Sequence, residues 1–226
     1  GSMGQEISVL TTSMAGIVDT LTCEVTSTSC VEDSECATGE ICGSTGSCIE
    51  DPAMVGCVPS FYSGTGIYGG SNFDIANLQS ISSSSTATQS ALMGISAGSY
   101  GADEALFQAA ACMADPALTS GSDSCSGRLA NCATSGVGCP GYRDDSVRVL
   151  LLMTDEKDEY DNNNWTAAVA GSALFAADIT FLGINCDSAD EGLADLQAVA
   201  TSAGSLDGAG NPLVFSGIDA AAAAGA

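Results

Sequence analysis

The chain has 226 residues, enough for one sizeable α/β domain or two small ones, and its 45% hydrophobic content is sufficient for a real core. Its 28 acidic residues against 4 basic ones give a net charge of −24, which repels phosphate backbones and anionic membranes and excludes nucleic-acid binding. Histidine is absent, so histidine-dependent triads, His-ligated zinc and an imidazole general base are excluded too.

The 11 cysteines contain no Cys-x-x-Cys pair, which disfavours zinc knuckles and favours disulfides formed in an oxidising compartment. The odd number leaves one thiol free or paired outside the sequence. No signal peptide or membrane-spanning run is present, so the chain reads as a piece of a longer exported protein, extracellular or at the cell surface, with no membrane insertion of its own.

In chain order, Met3, Ile7, Leu10, Met14, Ile17, Val18 and Leu21 recur at helical spacing and predict an amphipathic helix, with Ser2 placed to cap it. Residues 23–57 then lose aliphatic periodicity. Cys23, Cys30, Cys36, Cys42, Cys48 and Cys57 stand among small polar and acidic residues, a composition that needs disulfides in place of a core. Three bridges are expected within that segment, read here as a stapled insertion between 1–22 and 58–226. Ile67-Tyr68 is expected to pair with Phe61-Tyr62, and 86–93 reads as a short helix. Residues 102–114 form a clear helix with Leu106, Ala109, Ala110 and Met113 facing inward, stopped by Pro116. The long Gly/Ser-rich loop that follows is pinned by Cys125, Cys132 and Cys139.

Six of the eight residues Val147–Thr154 are apolar without alternation, which predicts a strand buried on both faces. A helix at 165–178, a strand at 179–184, a helix closed by Gly204, a strand at 213–215 and a last helix from Asp219 complete the alternation. This pattern predicts an α/β fold with a doubly wound, mostly parallel sheet. Ligands of such sheets bind beyond the carboxyl ends of the strands. There, Asp155, Glu156, Asp158, Glu159 and Asp161 follow one another within seven residues. Solvation accounts for Glu159 and Asp161, whereas Asp155 abuts the buried strand, where a charge needs a partner.

Two familiar motifs are chance matches. Gly94-x-Ser96-x-Gly98 lacks both a preceding strand and any histidine, and Gly64-x-Gly66-x-x-Gly69 lacks a strand–turn–helix context. Asn164-Trp165-Thr166 is a glycosylation sequon if the host is eukaryotic.

Val149 to Glu156, with its Thr154-Asp155 pair, resembles the metal-site strand of von Willebrand factor A domains. Gly1-Ser2-Met3-Gly4 resembles the tail of that family's Asp-x-Ser-Gly-Ser-Met loop, although the same residues also fit a cloning scar. Taken as the motif, they imply that the first strand lies upstream of residue 1. Ala105 to Cys112 is similar to a helix of integrin β-subunit I-like domains, and Cys30 to Cys48 resembles the cysteine-rich repeat of Dickkopf-type proteins.

The resemblance implies an adhesion-type site for Mg²⁺, or Ca²⁺ or Mn²⁺, with Ser2 and Asp155 as ligands, open to an acidic side chain of a protein partner. The integrin pattern places an acid at Tyr100, which supplies no carboxylate; Ser99 and Asp103 are the nearest substitutes. Binding rather than catalysis is implied. The alternatives are a structural interaction module with a decayed metal site that binds through the Cys-rich segment, and a metal-dependent hydrolase using Asp155 and Asp158.

Overall fold

The computed structural model describes residues 3–69, 74–95, 104–158, 164–186 and 190–216. The predicted first helix is present as α1 (Gly4–Leu21), with Met3 at its cap position. It packs on α3 rather than on the parallel sheet described below, and Gln89 of α3 donates from Nε2 to Thr11 O across that contact.

The Cys-rich segment follows, with strands β1 (Val25–Ser29), β2 (Glu40–Cys42) and β3 (Ser47–Glu50) in the antiparallel order β1-β3-β2 and a short helix α2 (Pro52–Val55). Its bridges are Cys23–Cys57, Cys30–Cys42 and Cys36–Cys48, all internal to the segment. With so little apolar surface, this small sheet depends on those bridges. Its acids are more than solvating charge. Asp33, Glu35, Glu40, Glu50 and Asp51 each accept a backbone N–H from within the segment. The carboxylates therefore substitute for strand partners that so short a sheet cannot supply.

A second sheet joins β4 (Ser63–Gly69) and β5 (Asp74–Ser82) antiparallel, followed in the chain by helix α3 (Ser85–Met93). The expected partner of Ile67-Tyr68, Phe61-Tyr62, is not a strand; Tyr68 pairs with Ile75 instead. The polar sequence of β5 hid it from a reading based on apolar alternation. Gly64 and Gly66 lie on β4, where an added Cβ would stand 2.7 Å from Gln79 O and 2.9 Å from the Met113 methyl. Their glycine character thus serves close packing and not a phosphate cradle.

Helix α4 (Leu106–Ala114) is the centre of the molecule, with eight of its nine residues buried, including the four expected to face inward. A short helix apolar on all sides belongs in a core. Cys112–Cys125 and Cys132–Cys139 pin the following loop, which contains the two-residue strands β6 (Thr119–Ser120), β7 (Asp123–Ser124) and β8 (Leu129–Ala130), the last pairing with β5. Cys186 is the remaining thiol.

The last part of the chain alternates strand and helix, through β9 (Arg148–Thr154), α5 (Ala167–Ala176), β10 (Ile179–Asn185), α6 (Leu193–Ser202) and β11 (Val214–Ser216). Its strands are parallel in the order β11-β10-β9. Thr166 caps α5 through its side chain, and α6 closes at Gly204 (φ 69°), with Ser205 N–H donating to Ala200 O.

The doubly wound expectation needs correcting. The fold is α/β, but its sheets are small and separate, and among the described residues helices cover one face of the parallel one; the helix expected from Asp219 lies outside those residues. Helix α5 packs on α4, α6 and β10, and α6 lies over Gly183, where a Cβ would come within 3.1 Å of Leu196 Cβ. Leu150, Leu152 and Thr154 point toward that core, whereas Val149 and Leu151 stay 41% and 42% exposed, so β9 is not buried on both sides. Apolar runs report affinity for burial, not how many layers are present to provide it. The outer edge of β9 is closed differently, by Tyr142 and Tyr68 hydroxyls donating to Val149 O (2.7 Å) and Met153 O (3.2 Å).

Candidate functional site

Strands β9 and β10 deliver their carboxyl ends side by side, with Thr154 opposite Asn185. The loop after β9 reverses tightly against the start of α6. A Cβ on Gly192 would lie 2.7 Å from Glu156 O and 2.8 Å from the Thr154 methyl, so only glycine permits this approach. Cys186 N–H donates to Thr154 O at 2.7 Å and ties the two strand ends together.

Thr154 is the hub of the crevice and is 1% exposed. Its hydroxyl lies 2.8 Å from both Glu104 Oε2 and Glu156 O, with one proton to donate, and it accepts from Glu156 N–H at 3.1 Å. Glu104 stands just before α4, and the Tyr68 hydroxyl is 3.5 Å from the same carboxylate oxygen. Asp155 follows Thr154 directly and is half-buried.

Asp158 reaches the start of α4, where its Oδ1 accepts from Phe107 N–H at 3.1 Å. It replaces the cap that Ala105 cannot provide. Asp195 of α6 in turn accepts from Asp158 N–H at 2.8 Å. One loop is thereby held to two helices by carboxylates.

This convergence of acids is electrostatically unfavourable by itself. Burial raises the Glu104 carboxyl above its usual range, and the charges of Asp155 and Glu156 raise it further against the Thr154 hydrogen bond. Burial, with Asp195 and Glu104 adding to it, pushes Asp158 up to about 7. Tyr68 is raised well above the ordinary phenol value by burial and then by Glu104, Asp155 and Asp158. A cation in the crevice would relieve all three shifts.

Of the residues singled out in the sequence, Asp155 lies in this crevice, and Ser2, Ser99 and Asp103 lie outside the described residues. Glu104 was missed, although it adjoins Asp103 and supplies an acid from the segment where the integrin pattern expects one. Asp195 was missed as well, since one acid in the first turn of an amphipathic helix carries no signal of its own. Glu104 and Asp155 carboxylates with the Thr154 hydroxyl form an all-oxygen donor set, which suits hard divalent cations. The carboxylates are spread out. Among the described residues, Cys30, Cys36 and Cys48 are the group of three acid or thiol side chains with ligand atoms within 4.8 Å of one another, and their sulfurs are in disulfides. A cation here would therefore draw on two carboxylates, a hydroxyl and water, as Mg²⁺ commonly does.

Compared with known proteins, the chain matches no family model, and no curated protein matches it significantly. Its small separate sheets are not clearly those of a von Willebrand factor A domain.

Proposed function

We propose that this chain is an extracellular binding module that holds a divalent cation, Mg²⁺ or alternatively Ca²⁺ or Mn²⁺, in the crevice beyond β9 and β10 and offers it to an acidic side chain of a protein partner. The observation that carries this reading is the meeting of Glu104, Thr154 and Asp155 at the carboxyl end of a parallel sheet, where burial drives the Glu104 carboxyl above its usual range. Asp155 and Glu104 supply charge and the Thr154 hydroxyl supplies a neutral oxygen. Two carboxylates neutralise the charge of a divalent cation, so an acidic side chain would bind by replacing one of the waters that complete the coordination shell. Five disulfides support export, and among the described residues no helix is long and apolar enough to cross a membrane.

The test is thermal unfolding with Mg²⁺, Mn²⁺ or Ca²⁺ added separately to metal-free protein. Binding at 100-fold over the dissociation constant stabilises by about 2.7 kcal/mol through mass action. Asp155→Ala and Glu104→Gln should each abolish the shift. No shift with any of the three ions, or a shift that survives both substitutions, removes the cation site from the proposal.

The Cys-rich segment supports a second reading, in which it is the binding element of a module without metal. Val31, Met54 and Val55 are 91%, 70% and 55% exposed on a rigidly bridged scaffold. Under that reading, partner capture is lost with Val31→Asn or Met54→Asn and is indifferent to chelators.

A further inference from the structure

The Glu104 carboxylate presents its two oxygens to different surroundings. Oε2 lies 2.8 Å from the Thr154 hydroxyl and 3.5 Å from the Tyr68 hydroxyl, whereas among the described residues no donor addresses Oε1. The two hydroxyls come from different sheets. Thr154 ends β9, while Tyr68 stands on β4 opposite Ile75 and reaches across to the edge of β9. There its hydroxyl also lies 3.2 Å from Met153 O. Of these two acceptors for one phenol proton, an ionised carboxylate is the stronger.

We infer that Tyr68 is a positioning residue for Glu104: by helping to hold Oε2 it limits this carboxylate to ligation through Oε1, and so makes the crevice select Mg²⁺ over Ca²⁺. The inference rests on the cation site proposed above and names the ion for it. Thr154 does not suffice for this task. Its single proton has Glu156 O as an alternative acceptor at the same 2.8 Å, just as the phenol has Met153 O. With both hydroxyls present, Oε2 keeps a donor whichever of them turns away.

The number of oxygens decides between the ions. Ca²⁺ takes about six to eight in flexible geometry and gathers them readily through carboxylates that bind by both atoms. Mg²⁺ requires a near-ideal octahedron, keeps several waters and needs only one or two carboxylates. A loose cluster of acids consequently favours Ca²⁺, because Mg²⁺ gives up water reluctantly. This crevice is not loose. Thr154 Oγ accepts from Glu156 N–H at 3.1 Å, Asp158 accepts from Phe107 N–H of α4, and Asp195 of α6 accepts from Asp158 N–H. The loop after β9 is thus held at both ends and does not spread to gather further oxygens. With Oε2 engaged, Glu104 supplies one oxygen and water completes the shell.

Titration calorimetry on the intact, metal-free, disulfide-bonded chain tests this, with Mg²⁺ and Ca²⁺ added separately to the parent and to Tyr68→Phe. The parent should bind Mg²⁺ more tightly than Ca²⁺. The variant frees Oε2 from one donor, so the ratio of the two affinities should fall by about fivefold, the worth of one hydrogen bond. Lost packing alone would weaken both ions alike and leave the ratio where it was. Uniform 3-fluorotyrosine labelling keeps the hydroxyl and makes it a stronger donor, so it should raise the ratio, and it covers the case in which Tyr68→Phe folds poorly. A parent that binds Ca²⁺ as tightly as Mg²⁺ overturns the inference. So does a ratio unchanged in a folded Tyr68→Phe, or one that fails to rise on labelling. A parent that binds neither ion is a different result, which removes the cation site itself.

Discussion

Asp158→Asn separates the two electrostatic roles of the acidic crevice. Asparagine keeps an acceptor oxygen for the Phe107 N–H and removes a charge placed between Asp195 and Glu104. The native carboxyl is pushed up to about 7 from an ordinary 3.8, with burial the largest cause. Because the folded value lies above the unfolded one, the folded state holds the extra proton. The resulting stability is fully present below about pH 4 and is lost as pH rises through about 7. Three pKa units correspond to about 4 kcal/mol, and since the group is partly exposed, screening reduces this to roughly 1–2 kcal/mol. Opposing it, a carboxylate at the N-terminus of α4 contributes about 0.3–1 kcal/mol through the helix dipole. Burial and like charge therefore win. Urea unfolding in chelator should show the variant roughly 1 kcal/mol more stable than the parent at pH 8 and equal to it within about 0.5 kcal/mol at pH 4. Equal destabilisation at both pH values would refute the reasoning, because it would make the amide a poorer cap with no relief of charge.

Gly171→Ala carries a sign opposite to helix propensity. Alanine gains about 1 kcal/mol within a helix, but a Cβ there would stand 2.5 Å from Ser202 C and 2.7 Å from Ala203 N, forcing α5 off α6. Overpacking against backbone costs about 1–3 kcal/mol or more, so a net loss is expected in urea unfolding, and a stabilised variant would show that the helices separate freely. Replacing Cys36 and Cys48 with alanine opens a bridge of sequence separation 12, worth about 3 kcal/mol in the chain-entropy model. Limited proteolysis should then cut within residues 23–57 while the thermal midpoint of the remainder changes little; loss of the whole fold would show that the segment is structurally coupled to the core. Tyr142→Phe leaves Val149 O without its 2.7 Å donor and should cost about 0.5–1.5 kcal/mol in the same assay.

Helices α1, α3, α4, α5 and α6 and the parallel pairing were legible in the sequence because each rests on a local pattern, whereas the short α2 was not. The apolar spacing of α1, the inward set of α4, the glycine stop of α6 and the two apolar runs of β9 and β10 are all decided within a few residues. Strand β5 was not legible. Its buried Asn77 donates to Ser80 Oγ on the same strand and to Asn131 O, a partner that only the folded loop supplies. The number of layers was not legible either, because Val149 and Leu151 look the same in sequence whether or not a helix covers them.

The candidate site was legible where it lies on one strand and illegible where it spans several. Thr154-Asp155 follows from an apolar run that ends in acid. Glu104 has meaning only once β4, α4 and β9 come together, since Thr154 and Tyr68, the groups around its carboxylate, are 50 and 36 residues away. The same assembly gives Asp158 a structural duty at α4 as well as its charge. Acids in this chain thus do two kinds of work. In the Cys-rich segment they accept backbone N–H groups at little electrostatic expense, because the segment is exposed. In the crevice they accept hydrogen bonds under burial and mutual repulsion. A surface carboxylate can be exchanged for a neutral acceptor with little gain or loss, whereas Asp158 in the crevice gives up stability for its charge as pH rises through about 7. That difference in electrostatic strain, rather than the number of acids, distinguishes the crevice from the rest of a −24 surface.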